Sequence, residues 1–158
     1  MKIFDSISSA AASDAADLVS LERVLAESDF VTLHPVLTRE TFHMINAERL
    51  ALMKPTAFLI NTSRGGVVDE PALIAALQQA QLAGAGLDVF ETEPPEVTNP
   101  LLQMDNVIGT PHGLSHAFES VARCAEMTEE NVLAIVEGRL PPYLVNPSVN
   151  WRGQKVPV

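Results

Sequence analysis

Residues 57–77 read AFLINTSRGGVVDEPALIAAL: an unbroken apolar run, a polar turn and a helical pattern in direct succession. The run Ala57–Asn61 lacks polar alternation, the pattern of a strand in a buried parallel sheet. Asp69 is placed to cap a helix over Glu70–Ala80, with Pro71 in its first turn, where a missing N–H does no harm. Strand, turn and helix in this order make half of a βαβ unit.

The same alternation extends in both directions. Further apolar runs lie at Lys2–Phe4, Phe30–His34, Ala85–Phe90 and Val107–Gly109, and the middle ones have too little polar alternation to face water on one side. Helices are expected at Leu21–Ala26 behind Ser20, and at Ala47–Met53 behind Asn46 and ahead of Pro55. A longer helical pattern runs from about Ser115 to Glu137, with Phe118, Val121, Ala125, Val132 and Val136 on one stripe and Gly138 as its stop. The remainder, with Pro141, Pro142, Pro147 and Pro157, reads as extended, and 148–158 as a loosely held terminus. The architecture these elements predict is a doubly wound α/β sheet.

Composition narrows the function. The chain has 158 residues, 47% of them apolar, and 10 Lys+Arg against 20 Asp+Glu give a net charge of −10. That excess repels phosphate backbones and anionic lipid, so neither nucleic acid nor a membrane surface is an expected partner. Residues 1–20 lack the apolar segment of a signal peptide, and no run approaches the ~20 residues that span a bilayer. A lone Cys124 supplies neither a disulfide framework nor a thiolate zinc cluster, which suits a reducing cytoplasm.

A doubly wound sheet carries its functional residues on loops leaving the carboxyl ends of its strands. Here that rule selects Asp5, His34-Pro35, Asn61 to Arg64, Asp88 to Glu93 and Pro111-His112. Arg64 follows its strand directly, Gly65 and Gly66 let the chain turn, and its guanidinium offers a rigid fork of donors to a carboxylate or carbonyl. The bland alternative is a surface arginine in a turn. Glu93 lies in DVFETEPP and His112 in GTPHG. A carboxylate held against an imidazole raises its pKa and fixes its tautomer, the arrangement that moves a proton to or from a substrate oxygen. Spacing alone does not bring these two together, although a parallel sheet would put both at the same edge. Other signals carry little. Gly84-Ala85-Gly86 precedes a strand instead of following one, Gly113 stands where an HExxH zinc motif needs Glu, and no metal site is expected. His43 reads as an exposed loop or helix-start residue.

From Asp5 to Pro147 the chain resembles the NAD(P)-dependent D-isomer-specific 2-hydroxyacid dehydrogenases, the family of D-3-phosphoglycerate dehydrogenase, hydroxypyruvate and glyoxylate reductases and D-lactate dehydrogenase. The stretches that carry the resemblance are LAESDFVTLH, MKPTAFLINTSRGGVVDEPALIAAL, AGAGLDVFETEPP, NPLLQMDNVIGTPH and LVNP. The resemblance implies an NAD-dependent oxidoreductase moving a hydride between C2 of a D-2-hydroxy acid and nicotinamide. It makes Arg64 the group that binds the small 2-oxo acid, with Glu93 and His112 as the acid/base pair. Asp5, His34, Pro35, Thr62, Ser63, Arg64, Asp88, His112 and Gly113 become cofactor-contacting positions. Asp5 looks like the acid that accepts the ribose hydroxyls, which favours NAD over NADP because a carboxylate repels a 2′-phosphate. Two positions depart from the family pattern: Pro35 directly follows His34 where the family spaces them by one residue, and Leu114 stands where glycine is common.

In this family a GxGxxG turn precedes the strand that carries the ribose-binding acid, and the chain begins at that strand. The resemblance therefore implies a partial Rossmann-like sheet without its first strand and glycine loop. Residues 1–117 would be the C-terminal part of the dinucleotide-binding domain, 118–147 a long helix and return segment, and 148–158 a tail. Homo-oligomerisation or completion by an N-terminal part is expected with it. The competing expectation is a non-catalytic NADH-sensing or inactive remnant module of the same fold.

Overall fold

In a computed structural model, the structure describes residues 2–3, 17–146, 150–151 and 154–155. The chain divides into two units, residues 1–114 and 115–158. In the first, the strands β1 (Lys2–Ile3) and β2 (Asp17–Leu18) form a short parallel pair. Four further strands, β3 (Phe30–Leu33), β4 (Phe58–Asn61), β5 (Gly84–Leu87) and β6 (Val107–Gly109), make a parallel sheet in chain order. The expected strand Lys2–Phe4 is present as Lys2–Ile3, with Phe4 and Asp5 outside the described residues.

The helices begin where their capping residues dictate. In α1 (Leu21–Glu27), α2 (Ala47–Leu50) and α3 (Glu70–Gln78), the side chains of Ser20, Asn46 and Asp69 accept from the N–H groups of Arg23, Arg49 and Ala72. Each satisfies one donor that the first helical turn leaves open. Helix α2 stops at Leu50, earlier than the apolar pattern suggests, because residues 51–53 form turns ahead of Pro55.

Register sorts the sheet into two unlike faces. Val31, Leu59 and Ala85 stand in one row, and Leu33, Asn61 and Leu87 in the next but one. All six are buried, the five apolar ones in one core with Leu21, Leu25, Leu50, Leu73 and Leu77 from the three helices. The alternate rows belong to the other face, and the row ahead of Val31 and Leu59 holds Phe30, which is 67% exposed, and Phe58, which is 40% exposed, their rings stacked 5.5 Å apart. Ile108 in β6 is 74% exposed. Full burial on both faces, expected from the unbroken apolar runs, is thus realised on one face of the sheet, while on the other Gly84 is buried and Ile60 and Gly86 are half-buried. All three helices α1–α3 contribute their apolar sides to the same core, which leaves the second face without a helical cover from them.

The second unit is built on α4 (Phe118–Val136). Gly138, at φ 73°, ends it: its N–H bonds the carbonyl of Ile135 and the N–H of Arg139 that of Ala134. This left-handed glycine closure satisfies carbonyls that the last turn leaves open. Asn131 then holds the return segment, donating to the Tyr143 carbonyl and accepting from its N–H. Beyond it, β7 (Asn150–Trp151) and β8 (Gln154–Lys155) pair antiparallel. Among the described residues no helix is long and apolar enough to cross a membrane.

Candidate active site

The carboxyl ends of the four sheet strands finish in register, with Leu33, Asn61, Leu87 and Gly109 side by side. The next residue of each strand is therefore His34, Thr62, Asp88 and Thr110, and the polar loops leave from a single edge. His34 is exposed with its Nε2 2.9 Å from Thr32 Oγ1, and Pro35 is partly buried.

Asn61 is 1% exposed and builds the turn after β4. Its Oδ1 accepts from the N–H and hydroxyl of Ser63, and its Nδ2 donates to the Arg64 carbonyl. A buried amide so fully paired fixes the turn that presents Arg64. The Arg64 guanidinium is exposed and spends one donor on the Ser63 carbonyl. Gly65 then starts a 3-10 turn, Gly65–Val67. Sequence reasoning took this glycine for a sharp turn, but its reason is proximity: a Cβ there would sit 1.9 Å from the Phe90 carbonyl oxygen. The Arg64 loop is thus pressed directly on the backbone of the loop after β5.

Asp88 is 5% exposed and anchors the loop after β6. Its Oδ1 accepts from the Thr110 hydroxyl at 2.6 Å and the Gly113 N–H at 2.9 Å, and its Oδ2 from the Leu114 N–H. Burial pushes this carboxyl up, but those three donors and the nearby His112 outweigh it and hold it below its ordinary value. Wrapped on Asp88, the loop carries His112 at φ 52°, a left-handed conformation that a residue with a Cβ adopts only under constraint.

His112 Nδ1 meets Glu93 Oε2 at 2.8 Å, and Glu93 Oε1 accepts from the Phe90 N–H at 3.0 Å. Both carboxylate oxygens are therefore committed and the group cannot rotate away from the ring. Burial raises the Glu93 carboxyl, while the bond to His112, the Phe90 N–H and the charges of His112 and Arg64 lower it further, leaving it below its ordinary value. A cleft of about 510 Å³ beside the pair is lined by Phe90, Pro94, Pro95, Leu102, Gly109 and Pro111 together with Glu93 and His112.

Three groups at this edge remain uncommitted. Thr62 and His112 Nε2 have no protein partner among the described residues, and Arg64 keeps free guanidinium donors. One hydroxyl, one ring nitrogen and one cation at the carboxyl edge of a parallel sheet suit carbonyl and carboxylate groups. Asp5 lies outside the described residues. Sequence reasoning missed Glu70 and Asn99, took in Glu91 only as a member of the stretch Asp88 to Glu93, and read His43 as an exposed loop or helix start. His43 instead occupies a turn at φ 49°, stacked on Phe42 and bonded through Nε2 to Glu91 at 2.8 Å. Among the described residues no group of three or more His, Cys, Asp or Glu could hold a metal ion.

Residues 2–113 match the family model described as "D-isomer specific 2-hydroxyacid dehydrogenase, NAD binding domain". Among curated proteins, a glyoxylate reductase of Korarchaeum cryptofilum is 53% identical over 133 residues, 84% of this chain and 40% of that protein. Among solved structures, D-lactate dehydrogenase with NAD+ from Lactobacillus jensenii aligns with a TM-score of 0.82 at 31% identity, over 92% of this chain and 48% of that one. A D-isomer specific 2-hydroxyacid dehydrogenase from Xanthobacter autotrophicus Py2, in complex with NADPH and MES, aligns at 0.75 and 39% identity, over 97% and 62%. The chain spans about two fifths of the length of the curated relatives it matches. With more than two thirds of its length, residues 2–113, matched by the family's NAD-binding domain, the chain belongs to the D-isomer-specific 2-hydroxyacid dehydrogenase family.

Proposed function

We propose that this chain supplies the catalytic edge of an NAD-dependent oxidoreductase acting on the CH–OH group of small D-2-hydroxy acids. The observation that carries the proposal is the His112–Glu93 pair, 2.8 Å apart, with Glu93 itself fixed by the Phe90 N–H. With Nδ1 engaged by the carboxylate, His112 is left with Nε2 to take the proton of a C2 hydroxyl during oxidation and to return it during reduction. Glu93 offsets the positive charge that then develops on the ring. Arg64 receives the carboxylate of the acid and polarises its carbonyl through the donors it does not spend on Ser63. When bound, the nicotinamide accepts or donates the hydride at C4. Thr62, Ser63, Asp88 and Gly113, with His34 and Pro35, form the cofactor side of the edge. Asp5 would favour NAD over NADP by repelling a 2′-phosphate.

The edge of β3 away from β4 has no partner strand among the described residues, which supports pairing with a second copy or with further polypeptide. Loss of NADH absorbance with glyoxylate or another small 2-oxo acid, abolished in His112→Asn, is the expected result. Equal turnover in His112→Asn and wild type would overturn the proposal, and NADH binding without any turnover would favour a sensing module.

A further inference from the structure

Glu93 is carried on a nine-residue loop, Glu91 to Asn99 (ETEPPEVTN), and one carboxylate closes both of its ends. Glu70, the first residue of α3, accepts from the Glu91 N–H through Oε2 at 2.9 Å and from the Asn99 side-chain amide through Oε1 at 2.7 Å. The hold at the first end is reciprocal. Glu91 Oε2 accepts from the Glu70 N–H at 3.3 Å, while its Oε1 meets His43 Nε2 at 2.8 Å. At the second end Asn99 passes the constraint on, its Oδ1 capping the 3-10 turn Pro100–Gln103 through the Leu101 N–H.

These contacts do not touch the cleft beside His112, and none of the four side chains has a role in the proposed chemistry. Yet the distance from Glu91 to Glu93 is two residues, and the N–H that orients Glu93 belongs to Phe90, the residue before the clamp. The carbonyl of Phe90 is the atom against which Gly65 is packed. One short stretch, residues 64–70, therefore presents Arg64 at its start, presses on Phe90 in its middle and ties down the Glu93 loop at its end. We propose that Glu70, backed by the His43–Glu91 pair and by Asn99, is a positioning residue that holds the Glu93 carboxylate in register with His112 Nδ1. The proposal rests on reading His112 and Glu93 as the acid/base pair. A free imidazole is not held to either neutral tautomer, whereas a carboxylate fixed at Nδ1 keeps the proton there.

The test reads that proton directly. Long-range proton–nitrogen NMR spectra of the nitrogen-15-labelled 158-residue chain, taken in alkaline solution where imidazole is neutral, report the share of the His112 Nδ1–H tautomer. His112→Asn identifies the signal. The wild type should show Nδ1–H predominating, and Glu93→Gln should reduce its share. Glu70→Gln, which keeps the shape but leaves one acceptor for two donors, should bring the share to less than about half of its wild-type value. Should that variant fail to fold, Asn99→Asp decides instead: it keeps the cap on Leu101 but sets a carboxylate against Glu70, and it should lower the share in the same direction. A clamp that merely stabilised the fold would lower the melting temperature and leave the tautomer alone. An unchanged tautomer in folded Glu70→Gln, or in Asn99→Asp when that is the deciding variant, with a changed one in Glu93→Gln, overturns the positioning role and leaves the pair standing. An unchanged tautomer in Glu93→Gln overturns the pair and the positioning role together.

Discussion

At the scale of single residues, the site is decided by where each carboxylate spends its oxygens. Glu93 gives one to the Phe90 N–H and one to His112, so replacing either member of the pair has a distinct expected result. In the protein that carries this chain, His112→Asn should lower kcat by roughly 100- to 10,000-fold, since the general base is gone. Glu93→Gln keeps the base and removes its countercharge. It should cost less and displace the pH profile of the oxidation toward lower pH, and steady-state assays across pH separate the two.

Acid stability belongs at this scale too. Asp88 and Glu93 both lie below their ordinary values in the folded chain, in each case because bonding outweighs burial. A depressed folded value stabilises the fold above the unfolded pKa of about 4 and loses that contribution as pH falls through the folded one. Denaturant midpoints measured downward from neutral pH should therefore drop below about pH 4, and Asp88→Asn should flatten part of that fall. A variant with an unaltered acid slope would count against the Asp88 anchor. Sequence made Arg64, Glu93 and His112 visible because each stands just past an apolar run. It could not make Glu70 or His43 visible, and it held Glu91 only as a member of the stretch Asp88 to Glu93. Their bonds cross 21 residues between Glu70 and Glu91 and 48 between His43 and Glu91, and each taken singly is an ordinary surface side chain.

Among elements, loop packing matters more than helix length. Gly65→Ala places a methyl group on the Phe90 carbonyl, backbone against backbone, with no flexible side chain to yield. The expected cost is about 3 kcal/mol or more, read as a lower denaturation midpoint, and the His112–Glu93 contact should be lost before the sheet is. Gly86→Ala in β5 is the matched control, because a Cβ there meets only Ile60 at 3.8 Å. The parallel strands β3 to β6 and the caps of α1–α3 were legible from periodicity and from Ser20, Asn46 and Asp69, though the order of the strands in the sheet was not. The strand β2 was not, since two residues, Asp17–Leu18, make no pattern. The run Ala85–Phe90 was read too long because its last three residues are apolar or buried yet leave the ladder to begin the Glu93 loop. One-sided coverage of the sheet escaped for a related reason: an apolar strand announces what it could bury, not which neighbour arrives to bury it.

For the molecule as a whole, the cofactor preference is the measurement to make first. Calorimetric titration should show NADH binding more tightly than NADPH, and Asp5→Asn should narrow the difference, since it removes the repulsion of a 2′-phosphate. Equal affinities in the wild type would remove Asp5 from that role. The registered polar edge has one further consequence. Backbone amides in surface loops ordinarily trade their hydrogens with deuterated solvent quickly, but those of Phe90, Glu91, Gly113 and Leu114 each donate to a carboxylate, and the residues that supply these belong to α3 or to the sheet's own loops. Opening any one of them means breaking a tie to a carboxylate that other donors also hold. These four loop amides should keep their hydrogens long after those of Glu96 and Val97, in the same loop system, have been replaced. The molecule thus carries a chemical clock at each of three carboxylates, Asp88, Glu93 and Glu70, and each runs at the rate at which its own tie to the loop opens.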